Sequence, residues 1–205
     1  MNRILSVTTS TSLFALSLFA IAGCSSSSST PGTGGTAADD GATSAAFSSF
    51  CTATLNNEAT LMTEVGGGAW ESDGTQHAGA GTPFLLAASF DLWGGFVITS
   101  DGTPMQISTD FTKGLVAGTD FTSSCAPTAI PSSGPNVLLA DAKLYPNADL
   151  SGTECTITAG TTLTNYSFSS LGTASATISA DEVTAKCGVA TMYAAEFPLA
   201  QLVAR

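Results

Sequence analysis

Short apolar runs separated by polar, glycine-containing turns follow one another along most of the chain. The strongest pattern lies between Pro83 and Ser108, where PFLLAASFDLW and GGFVITS are apolar strand candidates. SDGT at 100–103 then supplies a turn, and Met105 and Ile107 alternate as in a returning strand. Because short apolar runs bounded by turn residues are typical of strands, this segment predicts a β-hairpin.

Similar runs in the second half of the chain predict further strands. They lie at 136–145 (NVLLADAKLY), 155–168 (CTITAGTTLTNYSF), 173–179 (TASATIS) and 187–199 (CGVATMYAAEFPL). ADEVTAK at 180–186 favours one helical turn. This spacing of short strands predicts an all-β fold, an antiparallel sandwich or barrel of about seven or more strands.

The pattern before Pro83 is less regular. At 46–65, Phe47, Phe50 and Leu55 fit helical spacing while neighbouring positions alternate as in a strand, so we expect a short helix followed by a strand. The stretch Gly66 to Thr82 is rich in glycine and poor in apolar residues, which predicts a long loop. Loops of this length inside a domain are often functional.

The N-terminal segment, residues 1–23, has the three parts of an export signal. Arg3 and the free amine give a positive start, and a short apolar stretch from Leu13 to Ala22 follows. A membrane-spanning helix needs about 20 apolar residues, so this stretch favours a signal over an anchor. The ending Ile21-Ala22-Gly23-Cys24 resembles the lipobox of bacterial lipoprotein precursors.

The lipobox resemblance, which covers this N-terminal segment alone, implies cleavage before Cys24 and attachment of diacylglyceryl and palmitate-type chains there. Several such chains anchor a protein firmly, at about 0.8 kcal/mol per buried methylene. Residues 24–45, rich in Ser, Gly and Thr, predict a flexible tether, and 46–205 a single β-rich exported domain. By analogy with lipoprotein sorting, Ser25 favours the outer membrane. An ordinary cleaved signal peptide is the alternative.

The charge of the chain restricts its partners. The formal net charge is -11, and loss of Arg3 with the signal makes it -12. The remaining cations are few: Lys113, Lys143, Lys186 and Arg205. Nucleic acids and anionic lipids are bound through Lys and Arg clusters, so we expect neither as a partner. The membrane, through the lipid on Cys24, and an envelope protein or a glycan are the partners that remain.

The domain has four cysteines, Cys51, Cys125, Cys155 and Cys187. An even number in an exported chain predicts two disulfides, and three pairings are possible. We favour Cys51 with Cys187 and Cys125 with Cys155, because that pairing would tie the ends of the domain together. No metal site or cofactor is expected, since no two cysteines have zinc-ligand spacing and His77 is the only histidine.

Candidate chemistry is sparse. No serine lies in a G-x-S-x-G motif, so no nucleophile stands out. Glu71, Asp73 and His77, in the segment Gly66 to Thr82, are the candidates for an exported hydrolase. Two carboxylates suited to glycoside hydrolysis could come from these or from Asp91, Asp101 and Asp110, but they must lie about 5–10 Å apart. Asp149, Ser151 and Glu154 could contribute calcium ligands, although no EF-hand motif surrounds them.

The two tryptophans suggest another function. Trp70, beside Glu71 and Asp73, is a candidate platform for a sugar ring, whereas Trp93 lies in an apolar run that favours burial in the core. The function that we expect is a non-catalytic binding or structural module of the bacterial cell envelope. The alternatives are the exported hydrolase and a carbohydrate-binding module that uses Trp70.

Overall fold

A computed structural model describes residues 45–132, 134–171 and 175–205. These residues confirm an antiparallel, mostly β fold with one α-helix and two disulfides. The signal segment 1–23, the lipidation site Cys24 and the tether up to residue 44 lie outside them. Within the described ranges, no helix has the length and apolar character needed to cross a membrane.

Eight strands of the first half form one antiparallel sheet after a 3-10 turn at Ala45–Phe47. The strands are β1 Thr52–Leu55, β2 Ala59–Gly66, β3 Ala69–Glu71, β4 His77–Ala78, β5 Pro83–Ser89, β6 Leu92–Ile98, β7 Pro104–Ile107 and β8 Phe121–Thr122. Their order in the sheet is β3-β2-β7-β6-β5-β1-β8, and β4 pairs with β2. The hairpin predicted between Pro83 and Ser108 is confirmed as β5-β6-β7.

The long loop predicted for Gly66 to Thr82 is wrong, because β3 and β4 lie within it and both pair with β2. Gly66, Gly67 and Gly68 all have positive φ, which lets the chain reverse tightly between β2 and β3. Strands of two or three residues are too short to show the alternation by which strands are recognised in a sequence.

The second half contains smaller antiparallel sheets. Its elements are β9 Asn136–Leu138, β10 Ala142–Leu144, β11 Cys155–Ile157, β12 Thr162–Leu163, β13 Ser167–Ser170, β14 Ala176–Ser179, α1 Asp181–Cys187, β15 Met192–Ala194 and β16 Leu199–Gln201. They form the sheets β12-β9-β16, β13-β14-β15 and β10-β11. The helical turn predicted at 180–186 is confirmed as α1, which ends at Gly188 with a φ of 76°.

Strand β5 is buried on both faces and joins two hydrophobic cores. Phe84 and Leu86 point into a core within the eight-stranded sheet, whereas Leu85 and Ala87 pack with Val137 of the sheet β12-β9-β16. A strand buried on both faces has no polar face to alternate with, which explains the continuous apolar sequence of β5. The stacking of the two sheets gives the sandwich-like layering expected from the sequence.

The disulfides join Cys51 to Cys125 and Cys155 to Cys187, so the pairing favoured from the sequence is wrong. Each bridge lies in its own half of the chain: Cys51 belongs to the core of the large sheet, while Cys155 and Cys187 border a core of the second half. Backbone pairing already brings the two ends of the domain together, since Phe50 forms a β-bridge with Ala204. A disulfide is therefore not needed to join the ends.

Candidate functional site

The hydrolase candidates Glu71, Asp73 and His77 are all exposed. Asp73 Oδ1 accepts hydrogen bonds of 2.8 Å from the backbone N–H and the hydroxyl of Thr75, and these bonds lower the pKa of Asp73. The His77 ring lies beside Glu58, with Nδ1 3.9 Å from Glu58 Oε1. The structure thus gives Asp73 a role in its own turn and pairs His77 with an acid that the sequence did not single out.

The other acids considered for paired-carboxylate chemistry also lie on exposed turns. Asp101 Oδ1 accepts the hydroxyl of Thr99, and Asp110 Oδ1 accepts the hydroxyl of Thr112 at 2.7 Å. These bonds lower the pKa of both aspartates. Asp91 occupies the tight turn between β5 and β6. Asp101 and Asp110 therefore stabilise the loops in which they lie.

The residues considered as calcium ligands bond to different partners. Asp149 Oδ1 accepts hydrogen bonds from the backbone N–H and the hydroxyl of Ser151. Glu154 Oε2 accepts the hydroxyl of Tyr145 at 2.9 Å and lies 3.7 Å from Lys143 Nζ. Among the described residues, no three His, Cys, Asp or Glu side chains are grouped so that they could hold a metal ion.

Four carboxylates, Glu64, Asp101, Asp141 and Glu196, line a cleft of about 670 Å³. Burial raises the pKa of Glu64, the nearby charge of Glu196 adds to the rise, and backbone N–H bonds from Phe197 and Gly68 oppose it. Asp141 Oδ1 accepts the backbone N–H of Ala159 at 2.8 Å. Glu64 and Asp141 therefore each join two separate chain segments by a backbone hydrogen bond.

The two tryptophans occupy different environments. Trp93 is 6% exposed and packs edge-on against Phe121, so the prediction of a core position is confirmed. Trp70 is half-buried, and its ring lies 5.4 Å from that of Phe96. Because part of Trp70 stays accessible, it can pack on the core with one side and still contact a ligand.

Trp70 lines a surface groove of about 330 Å³, which we call the Trp70 groove. The aromatic residues Trp70, Phe90, Phe96 and Tyr166 line it together with the amides of Gln106, Asn136 and Gln201. The structure describes no hydrogen bond from these three amides to another described residue, and all three residues are half-exposed. Convergent polar groups among aromatic side chains are typical of small-molecule sites.

Strand pairing places the amides. Gln106 on β7 lies directly opposite Phe96 on β6, and Gln201 on β16 lies directly opposite Asn136 on β9. The groove therefore runs between the large sheet and the sheet β12-β9-β16, and residues from both sheets line it. The pairing fixes the backbone positions from which the amides of Gln106, Asn136 and Gln201 extend.

Gly94 keeps part of the groove open. A Cβ placed on Gly94 would meet no atom within 4 Å, and the backbone of Gly94 does not have the positive φ that would require glycine. Its half-exposed position in the middle of β6, opposite Ala87, lies against the groove. A side chain at this position would therefore occupy groove space without straining the strand.

Phe90 is the most unusual residue of the groove. It is 91% exposed and has a φ of 51°, and the next residue, Asp91, has a φ of 60°. Positive φ at both central residues is typical of the type I′ hairpin turn, which favours Asn or Gly at these positions. A phenylalanine in this conformation costs about 1–2 kcal/mol, and its exposed ring recovers little of that by burial.

The sequence identified Trp70 but missed the other residues of the groove. Tyr166 and Gln201 lie far from Trp70 along the chain, and no local pattern connects them. Phe90 gave no clear signal either, because Phe90 and Asp91 lie inside the apolar run PFLLAASFDLW and lack the Asn or Gly that is usual in a hairpin turn.

Comparisons of the chain with models of protein families, with curated proteins and with solved structures gave no match.

Proposed function

We propose that this protein is a lipid-anchored module of the bacterial cell envelope that binds a ligand in the Trp70 groove. Anchoring is proposed at Cys24, on the outer membrane, with residues 24–45 as the tether. The globular domain then meets its partner at a distance from the bilayer. The proposed role is one of binding without catalysis.

The disulfides support export. Disulfides persist in secreted and envelope proteins and are rare in the cytosol, where thiols are kept reduced. Cys51 is fully buried and bonded to Cys125, and Cys155 and Cys187 are partly buried against a core of the second half. Two bridges within the folded halves agree with the export signal inferred from residues 1–23 and with the lipobox that ends at Cys24.

The conformation of Phe90 is the observation that carries the binding role. A strained aromatic residue that is almost fully exposed lowers stability, and such residues cluster at ligand-binding and active sites. Phe90 lines the groove together with Trp70 and with three side-chain amides that bond to no other residue in the described part of the chain. The hydrolase candidates Asp73, Asp101 and Asp110 instead hold exposed turns, so the geometry favours the groove over these acids.

The anchoring proposal is tested by labelling cells that express the protein with a palmitate analogue. The full chain should be labelled and sediment with membranes, whereas Cys24→Ser should lose the label and leave the membrane fraction. Ser25→Ala is the matched control and should remain labelled. Continued labelling of Cys24→Ser would contradict the proposal.

The binding role is tested by photo-crosslinking in intact cells. A photoreactive phenylalanine analogue replaces Phe90 in one strain and Phe111 in another, since Phe111 is also exposed, at 85%, and does not line the groove. The proposal expects a defined adduct from position 90 and none from position 111. Identical products from both positions would contradict a specific site.

A further inference from the structure

The geometry points to an uncharged saccharide as the ligand of the Trp70 groove, an inference that rests on the groove's proposed binding function. Three partly accessible aromatic side chains, Trp70, Phe90 and Tyr166, line the groove. Flat aromatic faces pack against the apolar C–H face of a sugar ring and leave the ring's hydroxyls at the edges free for hydrogen bonds. The groove volume of about 330 Å³ suits a small ligand or the end of a longer chain.

The amides of Gln106, Asn136 and Gln201 suit the hydroxyls of a sugar. Each amide has an oxygen that accepts and a nitrogen that donates, and each sugar hydroxyl can likewise donate and accept. A fatty acyl chain would cover the same amides without offering any partner. Because a covered polar group without a partner lowers affinity, the amides disfavour an acyl chain.

Charge argues for a neutral ligand. None of the described residues that line the groove is charged, although the chain as a whole carries a net charge of -11. A charged ligand would lose its hydration in the groove and find no opposite charge there. An uncharged saccharide does not carry that penalty.

Gly94 of β6 leaves room for the sugar ring in the groove. Gly94 leaves open space above the strand, Phe90 lines the same groove, and Trp70 packs on Phe96. In this arrangement Trp70 and Phe90 contact the sugar, and Gly94 lets the sugar approach the backbone. Phe90 thus gains in the complex the contacts that it lacks in the free protein.

The test is isothermal titration calorimetry on the full chain purified in detergent, with soluble oligosaccharides of cellulose, chitin, mannan and dextran as probes. At least one of these neutral saccharides should bind. Phe90→Asn should weaken that binding on the order of tenfold, as expected for loss of one aromatic contact. Gly94→Val, which adds a side chain to the groove where a Cβ meets no atom within 4 Å, should abolish it.

Phe111→Asn is the matched control, because it removes an equally exposed phenylalanine outside the groove, and it should bind as tightly as the parent. Thermal unfolding of each variant shows that it is folded. The inference is overturned if none of the saccharides binds, or if Phe90→Asn and Gly94→Val both bind like the parent. Since the assay uses purified protein, it does not depend on anchoring at Cys24. A defined adduct at position 90 together with no saccharide binding would overturn the saccharide alone and leave the binding role intact.

Discussion

The backbone N–H of Cys51 donates a hydrogen bond of 2.7 Å to the carbonyl oxygen of Val203, which joins the first strand region to the end of the chain. The N–H of Val203 in turn donates to the carbonyl oxygen of Leu86. Val203 is therefore bonded to two segments of the first half of the chain. Leu202 and Val203 are 0% and 4% exposed.

Deletion of 202–205 should unfold the domain. Burial of Leu202 and Val203 contributes about 3–6 kcal/mol together, which approaches the about 5–15 kcal/mol that stabilises a typical domain. Thermal unfolding followed by circular dichroism should show no cooperative transition for the truncated chain. Arg205→Ala, which keeps the backbone bonds, should melt like the parent. A truncated chain that melts cooperatively at the parent's temperature would contradict this account of the chain end.

Gly94 and Gly95 should respond differently to replacement by alanine. A Cβ on Gly95 would overlap the Phe84 ring and lie 3.1 Å from the carbonyl oxygen of Leu85, so Gly95→Ala should destabilise the domain by about 1–3 kcal/mol. Gly94→Ala meets open space and should leave stability unchanged or slightly raised. Urea unfolding of the two variants measures the difference. Equal losses would show that the two faces of β6 are not as described.

Glu64→Gln should change how stability depends on pH. Burial raises the folded pKa of Glu64 above its ordinary value of 4.5. The folded state then binds the proton more tightly than the unfolded state, so stability falls as pH rises through the interval between the two pKa values. Gln keeps an oxygen that can accept the N–H of Phe197 and does not ionise.

The stability of Glu64→Gln relative to the parent should therefore increase between pH 4 and pH 7. Denaturant unfolding at several pH values measures it, and Asp73→Asn, at a fully exposed turn, is the control. The bonds to Thr75 lower the pKa of Asp73 below its ordinary value of 3.8, so that variant should lose stability relative to the parent only as pH rises toward 3.8, and should stay nearly level between pH 4 and pH 7. If Glu64→Gln also shows no gain between pH 4 and pH 7, the raised pKa of Glu64 is wrong.

The two disulfides should differ in what they contribute. The Cys51–Cys125 bridge spans 74 residues and the Cys155–Cys187 bridge spans 32. Loop-closure entropy predicts that each bridge adds about 4 kcal/mol to the free energy of unfolding, and that the longer loop adds about 0.7 kcal/mol more than the shorter one. Paired Cys→Ser variants at each bridge test this order by denaturant unfolding. Peptide mapping without reduction tests the connectivity, and a peptide that links Cys51 to Cys187 would contradict it.

Replacement of Phe90 should stabilise the free protein. Asn tolerates positive φ better than Phe, so Phe90→Asn should gain up to about 1 kcal/mol. Phe111→Asn should give no such gain, because Phe111 does not have a positive φ. Thermal unfolding of both variants measures the effect. A loss of stability in Phe90→Asn would show that the ring contributes to the fold. It would contradict the view that the backbone conformation of Phe90 destabilises the free protein.

Local patterns predicted much of the fold, whereas contacts between distant residues were not predictable. The apolar runs of β5 and β6 marked the central hairpin because burial on both faces left a continuous signal. The turn at Phe90 lacked the usual Asn or Gly, so its position was missed. The disulfide pairing depends on which core each cysteine enters, and no residue near Cys51 or Cys187 in the sequence encodes that.

The residues of the Trp70 groove were also only partly predictable from the sequence. Trp70 could be identified as a candidate because tryptophan is rare and lies beside polar residues, but its neighbours Tyr166 and Gln201 reach it only through the stacking of two sheets. Several of the candidate acids form local bonds instead. Aspartates such as Asp73 and Asp110, followed two residues later by threonine, bond to their own turns.

The proposal that this protein is exported and lipid-anchored is tested most directly by the intact mass of the protein purified from the membranes of the cells that make it. We predict a chain that begins at Cys24, carries acyl groups on that residue and lacks two hydrogens for each of its two disulfides. A chain that begins elsewhere, or that lacks acyl groups, would contradict it.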